Sequence, residues 1–164
     1  MPSVPKPHEF ACSLTWTGAA AGPTVNYRSY SRSLQVEMVG KPALAMSAAP
    51  PFLGDSATHN PEDLLIAALS ACHCLSYLAL AARAGISVVA YSDNATATME
   101  YVGKTYRFTK ALLRPRVVVK VGTDLSKAHE LHHEAHAACF IAQSMNFEVA
   151  NQPEIVVEEV AGNT

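Results

Sequence analysis

Residues 60–85, NPEDLLIAALSACHCLSYLALAARAG, decide how this chain of 164 residues folds. Asn60 is suited to cap a helix. Pro61 takes the first helical position, where its missing N–H costs nothing, and Glu62 and Asp63 set carboxylates on the positive end of the dipole. The helix is predicted to run to about Ala84 and to stop at Gly85. Residues 64–82 carry no formal charge, and about 20 apolar residues would also cross a bilayer. Ser70, His73, Cys74 and Ser76 interrupt the stretch, alanine fills much of the remainder, and Glu62, Asp63 and Arg83 flank it closely. The expectation is a core helix with no membrane role. Apolar on nearly every face, it must be surrounded by other elements, and its alanines let another backbone approach.

The rest of the composition agrees. The chain is 49% hydrophobic and only 16% charged, against about 25% charged in an ordinary soluble domain, which excludes a disordered chain. Its length suits one domain. The expected organisation is a disordered Pro-rich arm over residues 1–8, a single domain over 9–160 and a frayed tail over 161–164. A net charge of −2, with 12 basic residues and no cluster among them, leaves no footprint for nucleic acid. So few charges imply that much of the surface is hidden in a partner or else in a membrane. Residues 1–10 hold Pro2, Pro5 and Pro7 without an apolar core, so no secretory signal is read and a cytoplasmic, reducing setting is the default.

Working outward from the helix, residues 9–17, 24–30 and 34–39 read as three strands of an antiparallel meander, with a turn over 18–23. Residues 40–59, with Pro42, Pro50, Pro51 and Gly54, hold no period and read as a functional or mobile loop. After the helix, residues 86–91, 95–102 and 106–121 are strand-like, and Pro115 makes its surroundings an edge or a bend. A second helix is expected from 124–126 to about Asn146, followed by closing strands over 147–150 and 155–160. The order βββ, α, ββ, α, β or ββ is that of an α+β fold.

Four cysteines remain: Cys12, Cys72, Cys74 and Cys139. A chain able to build an ordinary core needs no disulfide framework, so each is reactive, metal-binding or simply buried. Cys72 and Cys74 lie about 200° apart around the first helix and cannot easily bridge. Cys12 has no nearby partner. In the second helix His136 and Cys139 share a face, and His129, His132, His133 and His136 extend that face into a plausible zinc or transition-metal stripe. The plainer reading is a polar face that uses histidine, alongside Glu130 and Glu134. His73, beside the first thiol, is either a proton relay or, more plainly, a packed imidazole. Two core helices can bring their cysteines face to face, which periodicity does not decide.

The run NPEDLLIAALSAC at 60–72, with cysteine twelve residues after asparagine, and AHAAC at 135–139 together resemble the OsmC/Ohr family of thiol peroxidases. The element order agrees over about residues 9–160. The resemblance implies an α+β fold with antiparallel sheets wrapped around two central helices in an intertwined homodimer, two active sites at its interface, and no metal or organic cofactor. It implies that Cys72 is the peroxidatic thiolate, which reduces an organic hydroperoxide to the alcohol and becomes a sulfenic acid. Cys139 would then resolve it to an intramolecular disulfide that a small or protein-bound dithiol reduces.

A thiol in an apolar helix has a raised pKa, and Cys72 lies beyond the first turn where the dipole acts, so a cation must activate it. In the family an arginine oriented by the glutamate of the N-P-E start does so, and Glu62 matches that glutamate. No arginine occurs between Ser33 and Leu80. Arg28 and Arg32 are the nearest candidates, and Arg32 is preferred. Phe140 stands where the family commonly has proline, so the second helix is expected to run on past Cys139. Two alternatives stay open: a non-enzymatic metal or small-ligand module built on His129, His132, His133, His136 and Cys139, and an OsmC-like scaffold with little peroxidase activity.

Overall fold

The structure, a computed structural model, describes residues 6–159. The expected tail at 161–164 and most of the expected arm lie outside the described residues. Contacts among the described residues divide the chain into two compact units, the first ending at Leu64 and the second beginning at Leu65.

In the first unit β1 (Ser13–Thr15), β2 (Leu34–Glu37) and β3 (Leu44–Met46) form an antiparallel sheet in that order. The first expected strand is shorter than predicted because the chain coils into a 3-10 turn at Thr17–Ala21. The strand expected over 24–30 is a turn instead. Asn26 Oδ1 accepts from the Arg28 N–H at 3.0 Å and its carbonyl from the Ser29 N–H at 3.2 Å, the local bonding that favours asparagine in turns. The third strand comes from the segment read as loop, and Met46 also bridges His59 in parallel.

Gly54 permits that segment to fold back, since a Cβ there would lie 1.5 Å from the Ala48 carbonyl oxygen. Gly54→Ala is expected to destabilise this unit by more than about 1 kcal/mol, read as a lower urea midpoint. An unchanged midpoint would contradict it.

Helix α1 (Pro61–Arg83) starts and stops where expected. Asn60 Oδ1 accepts from the Asp63 N–H at 2.8 Å while Asp63 Oδ2 accepts from the Asn60 N–H at 3.3 Å, a reciprocal capping box. At the other end Gly85 adopts a φ of 71°, and the Gly85 and Ile86 N–H groups bond the Ala82 and Ala81 carbonyls at 3.2 and 2.9 Å, closing the helix with a left-handed glycine.

The second unit contains β4 (Val88–Asp93), β5 (Thr96–Val102), β6 (Thr105–Leu113), β7 (Pro115–Val119), α2 (Leu125–Ala138), α3 (Phe140–Gln143), β8 (Glu148–Asn151) and β9 (Glu154–Val157). Two sheets result, ordered β4-β7-β9 and β5-β6-β8. Both are mixed, which corrects the expectation of antiparallel sheets: β8 runs parallel to β6, and β9 parallel to β7. The helices α2 and α3 make the crossover that parallel pairing requires. Pro115 is not at an edge or bend. It opens β7, the central strand of its sheet, opposite Asp93, where a first residue can lack an N–H without breaking the ladder.

The first sheet packs Val117 and Val119 against Tyr77 and Ala81 of α1 and Leu131 and Ala135 of α2. The second packs Ala111 and Leu113 against Leu69 and Cys139. Within one chain α1 buries only the stripe Leu69, His73, Tyr77 and Ala81, leaving Leu75 68% exposed. The expectation of a helix enclosed on all sides is therefore not met by a single copy.

Candidate active site

Cys72 and Cys139 meet in the second unit. Cys139 is fully buried in the cluster with Leu69, Ala111 and Leu113, and half-buried Cys72 packs against it from α1. Burial, reinforced by the neighbouring Cys72 thiol, pushes the Cys139 pKa up to about 11. The Ala142 N–H, 3.4 Å from Sγ, pulls the other way without cancelling it. Cys139 is therefore a protonated thiol at neutral pH, already in contact with the sulfur it would join.

The backbone at Cys139 departs from expectation. The second helix does not run on to Asn146: it ends at Ala138, and Cys139, with φ −76° and ψ 103°, is at once its last cap and the N-cap of α3. The Cys139 sulfur takes the role usually held by a serine or aspartate oxygen. The Gln143 side chain and the Cys139 N–H both bond the His136 carbonyl, at 3.1 and 3.3 Å. Phe140 follows the break fully in solvent, 82% exposed. No proline is needed for the break, and cysteine is not a cap type that marks one in a sequence.

Cys74 points elsewhere, as the helical spacing required. Its pKa is raised by burial and by Asp93. Asp93 Oδ2 accepts from Ser70 Oγ at 2.6 Å and Oδ1 from the Arg114 N–H at 2.7 Å. Tyr91 lies in the same region, its phenol held far above the ordinary range by burial and then by Cys74, Asp93, Tyr77 and Cys139. Nothing local in the sequence marks Tyr91 or Asp93.

The four histidines of α2 do not form one face. His129 and His133 are exposed, while His132 is buried and His136 half-buried. Among the described residues no group of three or more His, Cys, Asp or Glu side chains is placed to hold a metal ion, which goes against the alternative of a metal stripe along this helix. His73 and His132 pair instead in the core, Nε2 to Nδ1 at 3.1 Å. Tyr77 stacks on His132 at 4.1 Å and donates its hydroxyl to the Ala128 carbonyl at 3.1 Å. Burial, then His73, His129 and His133, lowers the His132 pKa to about 3. Burial and His136 lower that of His73, against an opposing pull from Asp93.

Arg32 and Glu62 belong to the first unit. The Arg32 guanidinium donates to the Tyr30 and Tyr27 carbonyls and sits 4.2 and 4.9 Å from the centres of their rings. It lines an apolar cavity of about 220 Å³ with Trp16, Leu34 and Pro61. Glu62 Oε2 is buried without a hydrogen-bond partner among the described residues. Arg28 lies in the Asn26 turn, exposed.

Comparison with known proteins adds a lineage to this geometry. The family model described as OsmC-like protein matches residues 54–152. An OsmC-like protein of unknown function from Vibrio cholerae is 33% identical, with a TM-score of 0.81 over 89% of this chain and 99% of that one. The peroxiredoxin OsmC of Escherichia coli is 29% identical over 60% of this chain and 67% of its own length. An organic hydroperoxide resistance protein OsmC from Legionella pneumophila shares the fold at 16% identity, with a TM-score of 0.65 over 92% of this chain and 98% of that one.

Proposed function

We propose that this chain, which belongs to the OsmC-like family, is a cysteine-based peroxidase that reduces organic hydroperoxides to alcohols. The observation that carries the reading is the contact between Cys72 and buried Cys139. Cys72, the more accessible thiol, attacks the terminal peroxide oxygen as thiolate. The O–O bond breaks, sulfur is oxidised to the sulfenic acid, and the departing alkoxide takes up a proton as the alcohol. Cys139 then attacks the sulfenic sulfur, and a disulfide and water form. Cys139 need not be ionised beforehand, because it loses its proton as the hydroxide leaves and is neutralised to water. A dithiol, small or protein-bound, in a cytoplasmic reducing setting restores both thiols.

Glu62 and Arg32 are the proposed activating pair for Cys72. A buried carboxylate oxygen with no hydrogen-bond partner among the described residues is suited to hold a guanidinium, and a nearby cation favours thiolate. The test of the whole reading is thiol counting with one equivalent of cumene hydroperoxide. Loss of two of the four thiols, with Cys72 and Cys139 joined in the peptide map, is expected. Retention of all four would sink it.

The active form is proposed to be a homodimer, with a second copy covering the bare apolar face of α1. That helix is long and apolar enough by composition to cross a membrane, but its face is better matched by a partner helix within an OsmC fold. Leu75→Asp, at a site 68% exposed in one chain, leaves the single copy folded and puts a lone charge into the dimer contact. Dimer affinity is expected to fall at least about 100-fold, read by sedimentation velocity. Unchanged association would place the contact elsewhere.

A further inference from the structure

The interior of the second unit holds more polar chemistry than two thiols use. His73 and His132 are both fully buried, their rings 5.4 Å apart and within 11° of parallel. A single proton fills the 3.1 Å gap between His73 Nε2 and His132 Nδ1. For two neutral rings that fixes the outer nitrogens. If His73 donates, its Nδ1 is a bare lone pair and His132 Nε2 carries hydrogen; if His132 donates, the two are exchanged. Either way one outer nitrogen is a donor and the other an acceptor, and neither has a partner among the described residues. A proton entering at one end and leaving at the other turns one arrangement into the other and leaves no charge in the core.

Two more buried polar atoms nearby lack partners among the described residues, His136 Nδ1 and Tyr91 Oη. His136 stands one turn before Cys139 and acts electrostatically on His73. Tyr91 feels Cys139, Cys74 and Asp93, and its ring lies 6.0 Å from that of Tyr77, which stacks on His132. Buried polar atoms are nearly always bonded, through ordered water where protein does not reach. Four such atoms in one interior region suit a short, water-linked path.

Resting on the thiol chemistry proposed above, we propose that the hydrogen-bonded His73–His132 pair, extended by His136 and Tyr91, is a buried proton relay that accepts the Cys139 proton as the disulfide closes. In that step the Cys139 S–H and Cys72 S–O bonds break and the S–S bond forms. The relay takes the thiol proton and returns one to the departing hydroxide, giving water. Its tautomers are then swapped. Reduction of the disulfide, which reprotonates Cys139, runs the path in reverse and resets them. His73 and His132 are positioning and proton-transfer residues; neither touches the hydroperoxide.

The test uses variants that keep the shared hydrogen bond and delete the outer nitrogen: His132→Asn replaces Nδ1 by an amide, and His73→Gln replaces Nε2. Disulfide closure after cumene hydroperoxide is followed by quench and alkylation over roughly pH 5.5–8.5, where free histidine titrates, in light and heavy water. Both variants are expected to close at least about tenfold more slowly, to lose the solvent isotope effect and to recover with added imidazole, while the circular dichroism of the folded protein is unchanged. Nitrogen-15 spectra should report one tautomeric arrangement of His73 and His132 in the reduced wild-type protein and the exchanged arrangement in its disulfide form. Variants with the wild-type rate, pH profile and isotope effect, or a pair with the same tautomers in both redox states, overturn the relay and leave the peroxidase standing. A wild-type protein that keeps all its thiols overturns the peroxidase itself, and with it the link to Cys139, an outcome no variant can mimic.

Discussion

Cys72→Ser is expected to abolish turnover of cumene hydroperoxide, with a loss of at least about three orders of magnitude. A serine hydroxyl is neither acidic enough to ionise beside a cation nor nucleophilic enough to attack peroxide oxygen, and no other thiol shares the position. Cys74 points away toward Asp93, and Cys139 is sealed and protonated. The fold should survive, because Cys72 is only half-buried and serine is nearly isosteric. Cys139→Ser should behave differently. One equivalent of hydroperoxide is consumed, the Cys72 sulfenic acid persists and can be trapped with dimedone, and no disulfide appears. Steady turnover by Cys72→Ser would remove Cys72 from the chemistry, and a disulfide formed without Cys139 would remove Cys139.

The second large effect is acid lability. Unfolded histidine titrates near 6.5, whereas folded His132 is held at about 3. Above pH 6.5 the ring is neutral in both states and the buried pair is intact. As pH falls from there toward 3, the unfolded chain binds a proton that the folded chain refuses, so stability is lost. The slope is about 1.4 kcal/mol per pH unit for one proton. Between pH 6.5 and 4.5, before most carboxylates titrate, His132 alone should remove between about 2 and 3 kcal/mol, a large part of a typical stability. His73, lowered in the same direction, steepens the fall. Urea midpoints across this window are the measurement, with His132→Asn expected to flatten the profile. A flat wild-type profile would mean that water or rearrangement shelters the imidazolium.

The boundaries of α1 were legible because capping is local chemistry: asparagine, proline and a left-handed glycine act within a few residues of one another. The strand expected over 24–30 failed for a related reason, since its β-forming residues were outweighed by the side-chain turn at Asn26. The place of Pro115 is not legible in the sequence because its cost depends on which position of a strand it takes, and pairing decides that. The end of the second helix is equally hidden, because a cysteine sulfur acts there as a cap. The histidines of α2 share spacing but not environment, and burial separates them into a core pair and an exposed pair.

Sequence by itself determined the long apolar helix, the α+β order of elements and, through two short motifs, the OsmC-like lineage with its two cysteines. These follow from nearest-neighbour bonding, from hydrophobic periodicity and from residue types at fixed spacing. Only the tertiary structure decided that Cys72 touches Cys139, that the closing strands run parallel, and that His73 pairs with an imidazole 59 positions away. Those contacts belong to packing: they depend on which faces are buried together, and a one-dimensional pattern records the tendency of a residue to be buried without recording its neighbour.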